Sequence, residues 1–210
     1  DKKAKFLRIY ANIPDKLRED IIAVVDGKTY TWNASFIEIK NNTELGKKIL
    51  RELVNLLSTN ISSPFTYNSL KKTLNLSNAI TVKEYISYLN DSYLFFEVVR
   101  FNYSVKKQLN SPRKIYIIDP AFFNIIGITF KTNFGRIFEN ILFIELKRRK
   151  YDIFYFQEKN ECDFIIKQGN KILQAIQACY QLTEANKERE VSGLIEAMNV
   201  FKLKEGLILT

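Results

Sequence analysis

The second half of the chain changes its hydrophobic period several times, and these changes restrict the possible folds more than any other feature. Residues 136–149 have helical spacing, with an apolar face and a basic C-terminal turn. Three short apolar runs separated by polar turns follow within residues 153–180, and helical spacing returns at 190–201 before a final apolar run at 206–210. The order helix, three strands, helix, strand predicts a layered α/β domain. We place this domain at residues 120–210 and expect it to be truncated at its last strand.

The preceding segment, residues 44–119, has the pattern of three helices followed by two strands. Helical spacing covers 45–57, 65–74 and 80–89, and strand-like runs occupy 93–101 and 114–119. A tight polar turn joins the second and third helices, and a polar, basic connection joins the two strands. This order predicts a winged helix-turn-helix, in which the third helix faces the DNA and the two strands form the wing.

Residues 1–43 form a separate segment with one legible pattern. Asp26-Gly27 stands between β-prone flanks, which predicts a hairpin with a tight turn over residues 24–32. Gly27-Lys28-Thr29 also suggests a phosphate-binding loop, but that motif requires a glycine at position 22, which is Ile22 here. The sequence therefore contains no visible nucleotide-binding loop.

Charge makes polyanions the first partners to consider. The chain has 32 Lys and Arg against 23 Asp and Glu, a net charge of +9, and most of the basic excess precedes residue 120. If the third helix reads a major groove and neighbouring basic residues neutralise phosphates, the candidate contacts to duplex DNA are Lys71, Lys72, Thr81, Lys83, Ser87, Arg100, Lys106, Lys107, Arg113 and Lys114. A solvated face used only for protein docking is the alternative.

Composition removes several kinds of catalysis. The chain contains no histidine, which excludes Ser-His-Asp and Cys-His catalysis and imidazole metal ligands, so a metal would need oxygen ligands. No run of apolar residues approaches the ~20 that a membrane span requires, and nothing resembles a signal peptide. We therefore expect a cytoplasmic protein without a membrane partner.

The acidic residues of the α/β domain are placed in a suggestive order. Glu139 lies on its first helix, Asp163 opens a strand, and Gln177 lies on the next strand, with Cys179 two residues further on. Here the chain resembles the restriction-endonuclease-like fold with its PD-(D/E)xK motif, which implies a divalent metal such as Mg²⁺ on Asp163 and phosphodiester cleavage. Cys179 replaces the motif's lysine, so we expect an inactive site. Lys167 would restore a cation if strand alternation brings it to the Asp163 face.

The same alternation makes a prediction for the two cysteines. Cys162 should point away from the Asp163 face, whereas Cys179 should share the face of Gln177. We therefore expect no disulfide between them.

Taken in order, these motifs resemble the C-terminal half of archaeal AAA+-type ATPases, over residues 44–210. That family places a P-loop ATPase domain before a winged helix and an endonuclease-like domain, so the resemblance implies that residues 1–43 follow a missing ATPase core. It also implies an ATPase domain as partner, in the parent protein or in trans, and ATP-dependent work on DNA. The hypothesis is a DNA-binding, nuclease-like but catalytically inactive region that needs no cofactor. A metal-dependent DNA endonuclease and a protein-interaction module are the alternatives.

Overall fold

A computed structural model describes Pro14, Arg18 and residues 21–25, 28–31, 44–76, 78–121 and 133–210. These residues divide into two compact units. The first comprises the described residues of Asp1–Ser58 together with Phe65–Phe95, and the second comprises Thr59–Pro64 and those of Phe96–Thr210. The predicted domain boundary at residues 119 and 120 therefore falls inside the second unit.

The first unit contains a hairpin and three helices. Strands β1 (Ile21–Val25) and β2 (Lys28–Thr31) pair antiparallel with Val25 opposite Lys28, which confirms the predicted strands, while the Asp26-Gly27 turn lies outside the described residues. The helices are α1 (Glu44–Thr59), α2 (Tyr67–Thr73) and α3 (Ala79–Asp91), close to their predicted positions.

Short polar side chains set where α2 and α3 begin. Thr66 Oγ1 accepts a hydrogen bond from the backbone N–H of Ser69, and the Ser69 hydroxyl oxygen accepts one from the Thr66 N–H, forming a capping box. Asn78 caps α3 by accepting a hydrogen bond from Ile80 N.

A short strand β3 (Pro64–Phe65) precedes the two predicted wing strands, which are β4 (Phe95–Val99) and β5 (Arg113–Ile117). The three strands form a sheet of order β3-β5-β4. Their predicted polar connection contains one short helix, α4 (Val105–Asn110). Ser104 starts this helix by accepting a hydrogen bond from Lys107 N. None of the helices that the structure describes is long and apolar enough to cross a membrane.

The second unit confirms the predicted order of helices and strands. Helix α5 (Phe134–Arg148) is followed by strands β6 (Asp152–Gln157), β7 (Glu161–Gln168) and β8 (Lys171–Ala178), helix α6 (Glu184–Phe201) and strand β9 (Leu207–Leu209). The strands form a sheet of order β6-β7-β8-β9, antiparallel except for the parallel β8–β9 pair. Helix α6 begins six residues before its predicted start. The prediction missed these residues because the first turns of the helix are polar and exposed and carry no apolar period.

Two apolar clusters cover the faces of this sheet. Helix α5 contributes Phe143 to one cluster, and α6 contributes Leu194 and Ala197 to the other. The α5 cluster also contains Phe96 and Val98 of β4 and Tyr116 of β5, which explains why these strands belong to the second unit. Tyr116 stacks on Phe143 with ring centroids 4.3 Å apart.

The strand β7 is not regular. Phe154 of β6 pairs with Ile165, but Phe156 pairs with Cys162, so three steps along β7 match two along β6. As a result Cys162 and Ile165 pack in the α6 cluster, while Phe164 packs in the α5 cluster. The predicted simple alternation, with residues 163, 165 and 167 on one face, is therefore wrong.

Candidate functional site

A lysine surrounded by three acidic side chains is the central feature of the second unit. Lys114 of β5 has no exposed surface, and its Nζ lies 3.0 Å from Glu139 Oε1, 2.7 Å from Glu161 Oε1 and 3.0 Å from Asp163 Oδ1. Glu139 comes from α5, and the other two acids come from β7. We call these four residues the lysine cluster.

A further layer of hydrogen bonds orients the acids. The Tyr116 hydroxyl donates to Glu139 Oε1 at 2.7 Å, and the backbone N–H of Ala178 donates to Asp163 Oδ2 at 3.1 Å. Gln177 connects the cluster to α6, because its Oε1 accepts from Asp163 N at 3.3 Å and its Nε2 donates to Glu190 Oε2 at 2.6 Å. The carboxylate of Glu190 also pairs with Arg189.

Asn140 fixes the position of Glu139 relative to Lys114. Its side-chain Oδ1 accepts a hydrogen bond from Ile117 N at 2.9 Å, and its Nδ2 donates to Ile117 O at 2.8 Å. This buried amide satisfies both backbone groups of Ile117 in β5. Helix α5 is thereby attached to β5 at the residue next to Glu139.

Burial and charge set the protonation states. Burial and the neighbouring Asp163 carboxylate raise the pKa of Glu139 to about 8, against the opposing effects of the Lys114 ammonium and the Tyr116 hydrogen bond. Burial alone would lower the pKa of Lys114, but Tyr116 and the three acids raise it well above its ordinary value. At neutral pH the lysine is therefore charged and Glu139 is largely protonated.

The three acids of the lysine cluster line a pocket of about 690 Å³, while Lys114 lies buried behind them. The pocket is also lined by Gln177, Glu190 and Cys179. Its basic lining residues are Arg136, Lys159 and Arg189. Burial raises the pKa of the Cys179 thiol, with Glu190 adding to the effect, so the sulfur stays neutral at neutral pH.

The structure brings Glu139, Asp163 and Gln177 to one pocket, as the motif predicted. Lys167 does not supply the cation beside Asp163, because the irregularity in β7 breaks the alternation and the ammonium there belongs to Lys114. Both cysteines are free, and Cys162 packs in the α6 cluster away from the lysine cluster, as predicted.

Sequence reasoning missed Lys114, Glu161 and Tyr116 as members of the site. The available signal was a charged residue inside the apolar run Lys114-Ile115-Tyr116-Ile117, because a lysine in a buried strand requires charged partners.

The residues present do not fit a resident metal ion. Among the described residues, no group of three or more acidic, cysteine or histidine side chains is arranged to hold one. The ammonium of Lys114 stands where Glu139, Glu161 and Asp163 converge, the position that a divalent ion bound by these acids would take. The predicted metal ligand Asp163 uses both carboxylate oxygens in hydrogen bonds to nitrogen.

The predicted DNA contacts differ in accessibility and are divided between the units. The first unit carries Lys71, Lys72, Thr81, Lys83 and Ser87, and the second carries Arg100, Lys106, Lys107 and Arg113. The prediction of Thr81 as a base contact is wrong, because Thr81 is only 4% exposed and is buried on α3 beside Val82. Arg113 and Lys114 of the second unit are also buried, and neither is placed to contact phosphate. The Arg113 guanidinium donates to the carbonyls of Ser111 and Leu109, and Lys114 pairs with the three acids of its cluster. The other side chains are exposed or half-buried.

Comparison with known proteins gives relatives without an assigned activity. Residues 37–132 match a domain of unknown function, DUF8612. The chain is 36% identical over 196 residues to the uncharacterized protein MJ1544 of Methanocaldococcus jannaschii, an alignment that covers 90% of this chain and 43% of that protein. It is 24% identical over 147 residues to an uncharacterized protein of Haemophilus influenzae, covering 68% of this chain and 36% of that protein. The chain thus spans less than half the length of either relative, and no solved structure matches it significantly.

Proposed function

We propose that the second unit is a restriction-endonuclease-like domain that has lost hydrolysis, and that the chain is a DNA-binding accessory region of an AAA+-type ATPase. The lysine cluster is the observation that carries this proposal. The helix and strand order, the acid on the first helix, and the Asp163 and Gln177 positions support the nuclease-like relationship.

A buried ammonium argues against cleavage. A nuclease of this kind needs a metal ion that polarises phosphate and activates water, held by oxygen ligands with positions open to substrate. In this site Lys114 already neutralises the acids that would hold the ion, at distances of 3.0 Å or less. Removing a buried charge from such a network is costly, so exchange of the lysine for a metal is disfavoured.

Exposed basic residues support the DNA-binding part of the proposal. Lys72 and Lys83 are exposed on the first unit, and Lys106 and Lys107 are exposed on α4 in the second. The net charge of +9 favours association with a polyanion. The winged helix-turn-helix assignment of the helices and strands of residues 44–119 is part of the same proposal. The ATPase connection is proposed because more than half of the Methanocaldococcus relative lies outside the match, which leaves room for another domain.

Cleavage is tested with supercoiled plasmid in the presence of Mg²⁺ or Mn²⁺. We expect no nicking above background by the wild-type chain, and the same result for Asp163→Asn. Metal-dependent nicking that disappears in Asp163→Asn would overturn the assignment and favour the metal-dependent endonuclease. That alternative is supported by the convergence of Glu139 and Asp163 at an accessible pocket.

DNA binding is tested by fluorescence anisotropy with a short duplex at several salt concentrations. We expect affinity to fall steeply with salt, and the double variant Lys106→Ala/Lys107→Ala to reduce the log–log slope by about 2, one unit for each lost phosphate contact. Lys83→Ala tests the first unit separately. Lys171→Ala, an exposed lysine at the start of β8, is the matched control and should change nothing. Absent or salt-independent binding contradicts the proposal.

A further inference from the structure

An exposed aromatic stack stands at the pocket of the second unit. The rings of Phe134, at the start of α5, and Tyr180, just after β8, are stacked with centroids 5.5 Å apart and planes inclined by 21°. Phe138 approaches Tyr180 edge-on at 6.3 Å. Phe134 remains 56% exposed and Tyr180 54% exposed, whereas the stacked pair of Tyr116 and Phe143 is almost completely buried.

This stack adjoins both acidic and basic groups. Tyr180 lines the pocket, as do Gly135 and Arg136, the residues that follow Phe134. Arg136, Lys159 and Arg189 bring positive charge to the pocket wall, and Glu161 and Glu190 bring hydrogen-bond acceptors. The pocket, at about 690 Å³, has the size of sites that enclose a small organic group.

We propose that the Phe134–Tyr180 stack binds an unpaired base of single-stranded DNA. This proposal rests on the proposed DNA-binding function and names the form of DNA that the pocket takes. A base in a duplex has both faces covered by its neighbours, so only an unpaired base can stack on an aromatic ring at the protein surface. Sites that bind single strands usually combine aromatic rings, on which the bases stack, with nearby cationic side chains that contact the backbone.

The pocket acids predict a preference among bases. The carboxylates of Glu161 and Glu190 are hydrogen-bond acceptors, which suit the exocyclic amino groups of cytosine, adenine and guanine, whereas thymine has no amino group and offers only its N3–H. They also disfavour a phosphate inside the pocket, because its charge has the same sign. The base therefore enters the pocket, and the backbone phosphates remain near Arg136, Lys159 and Arg189 at its wall.

The test compares binding of single-stranded oligo-dC, oligo-dT and a duplex by fluorescence anisotropy with the full chain. Tyr180→Leu and Phe134→Leu keep apolar volume but remove the π face, and each should weaken oligo-dC binding about tenfold, the loss of one base stack. Duplex binding should change by less than about twofold. Tyr180→Phe should bind like wild type, and Tyr103→Leu, at a tyrosine that is 77% exposed elsewhere in the same unit, is the matched control. Thermal unfolding of each variant confirms that it is folded.

Three results would overturn the inference. Unchanged oligo-dC binding in Tyr180→Leu and Phe134→Leu, with duplex binding retained, removes the stacking site but leaves the proposed function standing. Equal losses for single strands and duplex show that the stack is not selective for unpaired bases. Absence of all DNA binding in the wild-type chain ends both proposals.

Discussion

At the residue scale, Lys114 is the charge around which three acids of the second unit converge. An ammonium without solvent contact is tolerated only where anionic or polar groups replace water, and here Glu139, Glu161 and Asp163 do so. The acids in turn depend on the lysine, because without it they would be a cluster of like charges. Stability and the proposed loss of catalysis thus have the same cause.

Replacing Lys114 with methionine should destabilise the chain by about 3–5 kcal/mol, because the substitution leaves buried acids without their cation. The measurement is the free energy of unfolding from urea titrations followed by circular dichroism. Lys167→Met is the matched control, since Lys167 lies on β7 outside the lysine cluster, and we expect a change within ~0.5 kcal/mol. Equal effects of the two substitutions would contradict the central role of Lys114.

The raised pKa of Glu139 predicts a pH-dependent difference between the wild-type chain and Glu139→Gln. The folded chain holds the proton up to a pKa of about 8, whereas the unfolded chain releases it near 4.5. The folded state therefore binds more protons between these values, and the contribution of Glu139 to stability falls as pH rises through this window. Urea unfolding between pH 5 and pH 8 should show wild type losing stability relative to Glu139→Gln. If the free energy of unfolding of wild type minus that of Glu139→Gln stayed constant or rose between pH 5 and pH 8, the pKa of Glu139 would not be raised.

At the element scale, two close approaches hold the helices against the sheet. Asn140 ties α5 to β5 through Ile117, and Gly193 lets α6 approach the backbone of β7. A Cβ at position 193 would lie 1.9 Å from the carbonyl oxygen of Glu161, the residue whose side chain contacts Lys114. The glycine is required because contact with a backbone atom cannot be relieved by rotating a side chain.

Gly193→Ala should therefore displace α6 from β7 and lower the free energy of unfolding by about 1–3 kcal/mol or more, despite the better helix propensity of alanine. Thermal and urea unfolding measure the effect. Asn199→Ala, at an exposed position on the same helix, should stay within ~0.5 kcal/mol of wild type. A stabilised Gly193→Ala variant would mean that α6 does not lie this close to the sheet.

At the scale of the whole molecule, the second unit recruits strands that the pattern assigned to a different domain. Phe96, Val98 and Tyr116 complete the α5 cluster, and β5 supplies Lys114 to the acids. The chain just after β4 also joins the sheet of this unit, because Phe101 N donates to Tyr155 O of β6 at 2.7 Å. A domain boundary at residue 120 would therefore separate Lys114 and part of the α5 cluster from the rest of the second unit.

Fragments test this division. Residues 120–210 alone should lack a cooperative unfolding transition, since they leave Glu139 and Asp163 without Lys114 and expose the apolar surface that β4 and β5 cover. Residues 96–210 should recover a cooperative transition in urea, although without the hydrogen bond from Ser62 N to Ile115 O. Similar cooperative unfolding of both fragments would contradict the division.

Periodicity predicted the order of most elements in both units, and the reason is that burial of one helix face or strand face leaves a local record in the chain. The same local patterns placed Glu139, Asp163 and Gln177 on the correct helix and strands. Helix α4 and the first turns of α6 escaped this reasoning because their residues are mainly polar or exposed. Charge also favoured a polyanion partner without any reference to the fold.

The lysine of the site, by contrast, depends on contacts between residues far apart in the chain. Lys114 lies 49 positions from Asp163, and no periodic pattern records which strand will pass over which acid. The irregularity in β7 breaks the strand alternation that would have placed Lys167 on the same face as Asp163. The cation beside the acids comes instead from Lys114 of β5. Residue types and their spacing therefore specified Glu139 and Asp163, and long-range packing added Glu161 and selected the cation that pairs with these acids.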